Sequence, residues 1–498
     1  MAISPTRLLW LAGTATLIFA VHTNWDIPLA AWLYPILLLR YTSLMPARQG
    51  ILRTGLALLV GNVFWLAVTG MVFVPIAVAV FVLLSILLTV PFALDRLLAH
   101  RLGGITATLV FPASRVAMEY FFGSAVGFGS WGSLGVTQHG NLLIIQTAAV
   151  TGVYGVSFLI AWCASVCSRC WEHGFRWREI RPAMLVYISV LALVLGANGA
   201  RLLFFRPTIH TVRVAGVGPS RPAEMASKDA IKAAVKQYWK PKMVSEADPA
   251  RVRNAFSFVN EALLAATERE ARAGAKIVLW PETQAKVLEQ DLDGFLDRVA
   301  RIARDENVYV DAAFALYTRR EPNVRNVSVL ITPQGTAAWI YDKAHPTPME
   351  PMRPGSGSVP SADSSYGRLA NVICYDADYP DLMRQAARKS ADMMLVPADD
   401  WRGFEYLHAE NVVFRAVENG YSIVRQASHG VSTAVDSQGR ILASVNYFDT
   451  DDPAMIAQMP LQPRTSTIYS VIGDWFAWLC AAGTVALVIK SLLRNSAD

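Results

Sequence analysis

The chain has 498 residues, 53% of them hydrophobic and 17% charged, with a mean hydropathy of +0.32. That balance excludes an ordinary soluble globule and points to a membrane protein that also carries a soluble part. The formal net charge of +6 invites a nucleic-acid partner, but much of the excess sits in short loops between apolar runs, where topology explains it, and no nucleic acid is expected.

In chain order, the first 205 residues form a series of long apolar runs. A helix needs ~20 apolar residues to cross the hydrocarbon core. By that measure there are eight candidate spans, at 8–23, 27–39, 51–69, 72–94, 105–123, 142–167, 182–204 and 474–493. Lys and Arg collect on the cytoplasmic side of membrane proteins. Arg40, Arg48 and Arg53 follow the second run, Arg96 and Arg101 the fourth, and Arg169, Arg176, Arg178 and Arg181 the sixth, whereas the loops around Asn24, Gly70 and 123–141 contain neither residue type. The alternation predicts an even number of spans, both ends in the cytoplasm and a soluble domain outside it. The first run is read as a span rather than a signal peptide, because no clear small-residue cleavage site precedes Trp25. Three regions result: a helix bundle over 1–206, a soluble domain over 207–467, and a terminal membrane helix with a cytoplasmic tail over 468–498.

Cys163, Cys167, Cys170 and Cys480 lie in or beside apolar runs. The first three have helical spacing, but no His or carboxylate is interleaved, so packing is expected and no metal. Cys374 is then the only cysteine of the soluble part, which excludes a disulfide there. A lone thiol in an oxidising compartment is a liability unless it has a task.

The soluble part alternates strands and helices. Strands are expected at 209–217, 276–280, 308–316, 324–332, 336–341, 369–374 and 393–397, with three more ending near Val445; helices are expected at 251–273, 292–306, 380–390 and 405–419. The order is α/β with mixed sheets in packed layers. Glu282, Lys343 and Cys374 each follow or end such a strand. Strand ends of α/β sheets are where side chains converge on a pocket. A thiol is nucleophilic as the thiolate, so Glu282 is the candidate base, and the helix opening at Pro380 is expected to favour the anion. Lys343 can meet the oxyanion that forms at an attacked carbonyl, and Glu350 can orient that lysine or relay protons. Taken singly, these residues read equally well as a turn carboxylate, a surface ammonium and a small core side chain; their shared placement favours chemistry.

The strings LWPET (279–283), YDKAHPTPMEP (341–351), ICYDADYP (373–380) and RAVENGYSIVRQASHGVST (415–433) resemble the nitrilase superfamily with its Glu-Lys-Cys triad. AMEYFFG (117–123), QTAAVTGVYGVSFLIAW (146–162) and the terminal apolar run narrow the likeness to bacterial apolipoprotein N-acyltransferases. The resemblance implies a helix bundle joined to a nitrilase-like αββα sandwich on the outer face of the bacterial inner membrane. It also implies an acyl chain taken from a phospholipid onto Cys374 and passed to the α-amino group of an apolipoprotein's diacylglyceryl-cysteine, without a cofactor. Glu282, Lys343, Cys374 and Glu350 are the expected catalytic set. Tyr375, Asp376 and Trp401 are expected at the substrate, with core filling the other reading for Tyr375 and Trp401. Three segments depart from the family pattern: Glu350 comes one residue early, 398–404 reads ADDWRGF, and 124–141 lacks a Phe-Pro-Trp. His345 is expected to be a loop residue, His408 and Glu410 half of a metal site with no second half, and Arg415 with Glu418 a structural pair. A membrane-tethered amidase using water as the final acceptor is the alternative enzyme, and a catalytically silent scaffold the alternative class.

Overall fold

The computed structural model describes residues 4–20, 27–205, 208–238 and 240–495. The loop around Asn24 and the boundary between 206 and 207 lie outside the described residues. Chain packing yields two compact units, Met1–Arg206 with Thr467–Asp498, and Pro207–Ser466.

The first unit is helical. Among the described residues five helices are long and apolar enough to cross a membrane: Ala47–Val68, Pro75–Leu102, Val153–Glu172, Trp177–Phe204 and Trp475–Arg494. The expected runs at 8–23, 27–39 and 105–123 give shorter helices, Pro5–Ile18, Pro28–Leu44 and Val110–Val126, of 14, 17 and 17 residues. The run expected as one span at 142–167 is broken. Short turns at Leu142–Ile145 and Ala148–Thr151 precede the long helix, and Gly152 joins them at φ 68 with the Tyr469 ring so close that a Cβ would lie 2.6 Å from it. Inside the bundle Arg115 Nε bonds Glu119 Oε1 at 2.7 Å, and the same oxygen accepts Leu134 N at 3.0 Å. Ionisable groups at membrane depth need partners, and Glu119 of AMEYFFG thereby pins the turn Leu134–Gln138.

The second unit holds two sheets. The first runs in the order Ala454–Pro460, Thr211–Val217, Ile277–Leu279, Tyr309–Tyr317, Val324–Ile331, Ala337–Asp342, with Ala285–Leu288 also paired to Tyr309–Tyr317. The other runs Ile441–Asn446, Val431–Val435, Ser422–Ser428, Met393–Asp399, Gly367–Asn371, Ser361–Ser364. Parallel pairs occupy the middle of each sheet and antiparallel pairs the edges. One face of the first sheet is covered by the helices Pro249–Arg272 and Leu292–Asp305, whose Leu263, Ala266, Phe295 and Val299 close over Trp280, Phe314 and Val327. The helices Pro380–Arg388 and Leu407–Asn419 accompany the second sheet, the latter buried at every residue. The uncovered faces meet. Gly216 sits so close to Gln426 that a Cβ would lie 2.1 Å from its amide oxygen, and Asn371 Nδ2 donates to Asp311 Oδ2 at 2.8 Å.

Strands expected at 209–217, 276–280, 308–316, 324–332 and 336–341 lie within two residues of those observed. The strand expected to end at Cys374 stops at Asn371; Val372 N still donates to Leu395 O, and Cys374 lies in a left-handed turn at φ 49. The helices Arg221–Ala234 and Pro241–Glu246 and the strands Ala285–Leu288, Ser361–Ser364 and Ala454–Pro460 were not expected.

Candidate active site

Glu282 stands three residues past the strand Ile277–Leu279, and its backbone N donates to Ala398 O of the opposite sheet. Lys343 follows Ala337–Asp342 directly, on the strand beside Val324–Ile331. Their side chains, each 2% exposed, form an ion pair of 2.7 Å, and Asn326 Nδ2 donates to the same Glu282 oxygen at 2.5 Å. Glu350 reaches Lys343 Nζ with both oxygens at 2.9 Å, so the shorter loop still delivers its carboxylate; Thr347 N braces it at 2.5 Å. Burial alone would lower the pKa of the Lys343 ammonium, but Glu282, Cys374 and Glu350 push it well above the ordinary range. Glu350 is itself raised, by burial first and then by the charge of Glu282.

Cys374 opens the short helix Cys374–Asp378 and is buried, with Sγ donating to Asp399 O at 3.6 Å. Burial pushes its thiol well above the usual range, Glu282 raises it further, and Lys343 pulls it back. A thiol held in its protonated form needs a base, the part expected of Glu282. The helix expected to favour the anion opens at Pro380, as expected, six residues past Cys374, and an ionised Glu282 opposes a second negative charge on the thiol.

Asp376, expected at the substrate, is fully buried. Its oxygens accept Tyr341 Oη at 2.8 Å, Ala344 N at 3.2 Å, His345 N at 2.7 Å, His345 Nδ1 at 3.1 Å and Ile373 N at 3.1 Å. With five donors satisfied it ties the residues after Lys343 to the residue before Cys374. His345 is a loop residue held by that carboxylate, its ring stacked on Tyr379 at 3.7 Å. Tyr375 is buried, edge-on to Tyr379 and His408, and half-buried Trp401 packs on Phe404 at 4.1 Å. His408 Nδ1 lies 2.6 Å from Asp378 Oδ2. Arg415 pairs with Glu418 at 3.1 Å, both without exposure. Among the described residues no three His, Cys, Asp or Glu side chains are grouped to hold a metal.

Sequence reading singled out neither Asn326 nor the fully buried pair Arg425–Asp400, whose guanidinium is within 2.8 Å of both carboxylate oxygens. It also passed over Asp399 and His429. The Asp399-Asp400 doublet after an apolar strand, and an Arg inside another, were the available signals. Chemically the cluster offers a protonated thiol, an adjacent carboxylate to receive its proton, and a fixed ammonium.

Residues 242–469 match the carbon-nitrogen hydrolase family model, and residues 12–166 that of the apolipoprotein N-acyltransferase N-terminal domain. An apolipoprotein N-acyltransferase of Geobacter metallireducens is 28% identical over 480 residues, 89% of this chain and 86% of that protein. One of Bradyrhizobium diazoefficiens is 25% identical over 82% of this chain and 77% of its own. Among solved structures, an amidase from Nesterenkonia sp. is 18% identical, with a TM-score of 0.38, over 53% of this chain and 94% of that one. Helical N-terminal part and hydrolase domain both match, in that order and in one chain, and the protein belongs to the apolipoprotein N-acyltransferases of the carbon-nitrogen hydrolase superfamily.

Proposed function

We propose that the protein is a bacterial inner-membrane N-acyltransferase, with its catalytic domain outside the cytoplasm and about eight membrane crossings. It moves a fatty acyl chain from a phospholipid to the α-amino group of an apolipoprotein's N-terminal diacylglyceryl-cysteine. The observation that carries the chemistry is the buried cluster of Glu282, Lys343 and Cys374, with half-buried Glu350 on the lysine, in a chain with long apolar helices.

In the first step Cys374 Sγ attacks the ester carbonyl while Glu282 takes the thiol proton. Lys343 faces the oxyanion, and Glu282 returns the proton to the departing lysophospholipid oxygen, leaving a thioester. In the second step the acceptor amine attacks the thioester, Glu282 takes a proton from it, and the Cys374 thiolate leaves and is reprotonated. The amide product and free thiol balance the cycle. Glu350 and Asn326 hold Lys343 and Glu282 in place, and Asp376 fixes the two loops that carry Lys343 and Cys374. Tyr375 and Trp401 line the approach to the thiol.

Mass spectrometry of a lipoprotein N-terminus from cells with and without this protein tests the reading. An added fatty-acyl amide only with the protein supports it; an unchanged N-terminus overturns it.

A further inference from the structure

Beside the nucleophile, three side chains from distant parts of the soluble unit form a row. His429 Nδ1 lies 2.7 Å from Asp399 Oδ1, and Nε2 lies 2.8 Å from Glu224 Oε1. Between two carboxylate acceptors both ring nitrogens donate, so the ring is an imidazolium. Burial lowers its pKa, but the two carboxylates raise it to about 10. Glu224 comes from the helix Arg221–Ala234 and also accepts the Tyr447 hydroxyl; the Lys286 ammonium faces both Glu224 and Asp399. His429 holds φ 49 in the turn between the strands Ser422–Ser428 and Val431–Val435. That conformation is costly for a residue other than glycine, and surrounding bonds must impose it.

Asp399 ends the strand Met393–Asp399, and its backbone carbonyl is the group that receives the Cys374 thiol. Its other side-chain contact, Gln284 Nε2 at 3.5 Å, is long. We propose that His429 is a positioning residue for Cys374: clamped to Glu224, it fixes Asp399 so that the Asp399 carbonyl aims Sγ at the acyl carbon. The imidazole itself takes no proton from substrate. The inference rests on Cys374 being the nucleophile.

Full-length protein in detergent, supplied with phospholipid alone, tests it through the rate of acyl-adduct formation on the Cys374 peptide. Thermal stability and the pH profile of iodoacetamide labelling of that peptide are read in parallel. His429→Ala removes both donors. His429→Asn tolerates the same φ and keeps a donor where Nδ1 stood. The expected result is about a tenfold slower acylation for His429→Ala, the scale of one charge-assisted hydrogen bond. The donor KM should stay unchanged, the labelling profile should shift, and His429→Asn should recover most of the rate. Wild-type rates in a folded His429→Ala protein overturn the inference. So do equal losses in both variants accompanied by equal losses of stability, since the role is then only structural. Absence of an adduct in the wild type instead defeats the assignment of Cys374.

Discussion

At the scale of single residues, the charge balance around Cys374 sets the chemistry. Glu282 raises the thiol pKa and Lys343 lowers it, on top of the dominant effect of burial. The thiol is therefore protonated at neutral pH, and in the proposed mechanism its proton passes to Glu282 as the acyl carbon is engaged. Cys374→Ala should abolish acyl-enzyme formation, and Glu282→Gln or Lys343→Ala should each cost at least ~10²-fold in its rate, the scale for a lost base or oxyanion donor. A near-normal rate in any variant removes that residue from the mechanism. Alkylation separates charge from catalysis. Because Glu282 opposes the thiolate, Glu282→Gln should move iodoacetamide labelling of Cys374 to lower pH even as acyl transfer fails; movement to higher pH contradicts the electrostatic assignment. Glu282, Lys343 and Cys374 could be singled out in the sequence because each stands within three residues of the end of an apolar strand, and Glu350 because it lies on the loop that follows Lys343. The bracing contacts of Asp376 and the row at His429 were not legible for one reason: a hydrogen-bond partner 31 or 205 residues away leaves no local pattern.

At the scale of elements, the two sheets meet through a buried polar link beside the site. Asp311 accepts from Ser328 Oγ on the neighbouring strand and from Asn371 of the opposite sheet, three residues before Cys374. Burial raises its pKa to about 7. A carboxyl with a raised folded pKa holds its proton longer in the folded state than in the unfolded one. Stability therefore falls as pH rises from about 4 to 7, and the loss persists above. Asp311→Asn can keep its oxygen as acceptor for Asn371 Nδ2 and turn its NH2 to the Ser328 hydroxyl, which can accept, without the charge, so its thermal stability should vary less than the wild type's between pH 5 and 8 and exceed it at pH 8. An unchanged pH dependence would mean that Asp311 is not the titrating group. Elements with strong periodicity, such as the amphipathic Leu292–Asp305, were legible; Ala285–Leu288 and Ser361–Ser364, with four residues each, were not. Short strands carry too few alternations to stand out from loops, and their pairing is decided by distant partners. The broken helix at Gly152 was hidden for a related reason: composition marks an apolar run but not where a ring packs against its backbone.

At the scale of the whole molecule, the expected eight crossings rest on eight apolar runs, with the alternation of arginines between them as a separate check, while five helices meet the length and composition of a span among the described residues. The helices Pro5–Ile18, Pro28–Leu44 and Val110–Val126 decide the count, and with it the side on which the catalytic unit stands. A reporter fused after residue 320 should behave as extracytoplasmic and one within 169–181 as cytoplasmic; a cytoplasmic signal from the first overturns the orientation. In the proposed mechanism one chain stores an acyl group on Cys374 until an amine arrives. Intact-mass analysis of purified protein given phospholipid but no acceptor tests it most directly. The expected result is one added fatty-acyl mass on Cys374, removed by neutral hydroxylamine and discharged faster by a diacylated lipopeptide with a free α-amine than by buffer. No adduct, with free fatty acid released at the same rate whether or not the lipopeptide is present, would contradict it and identify a hydrolase.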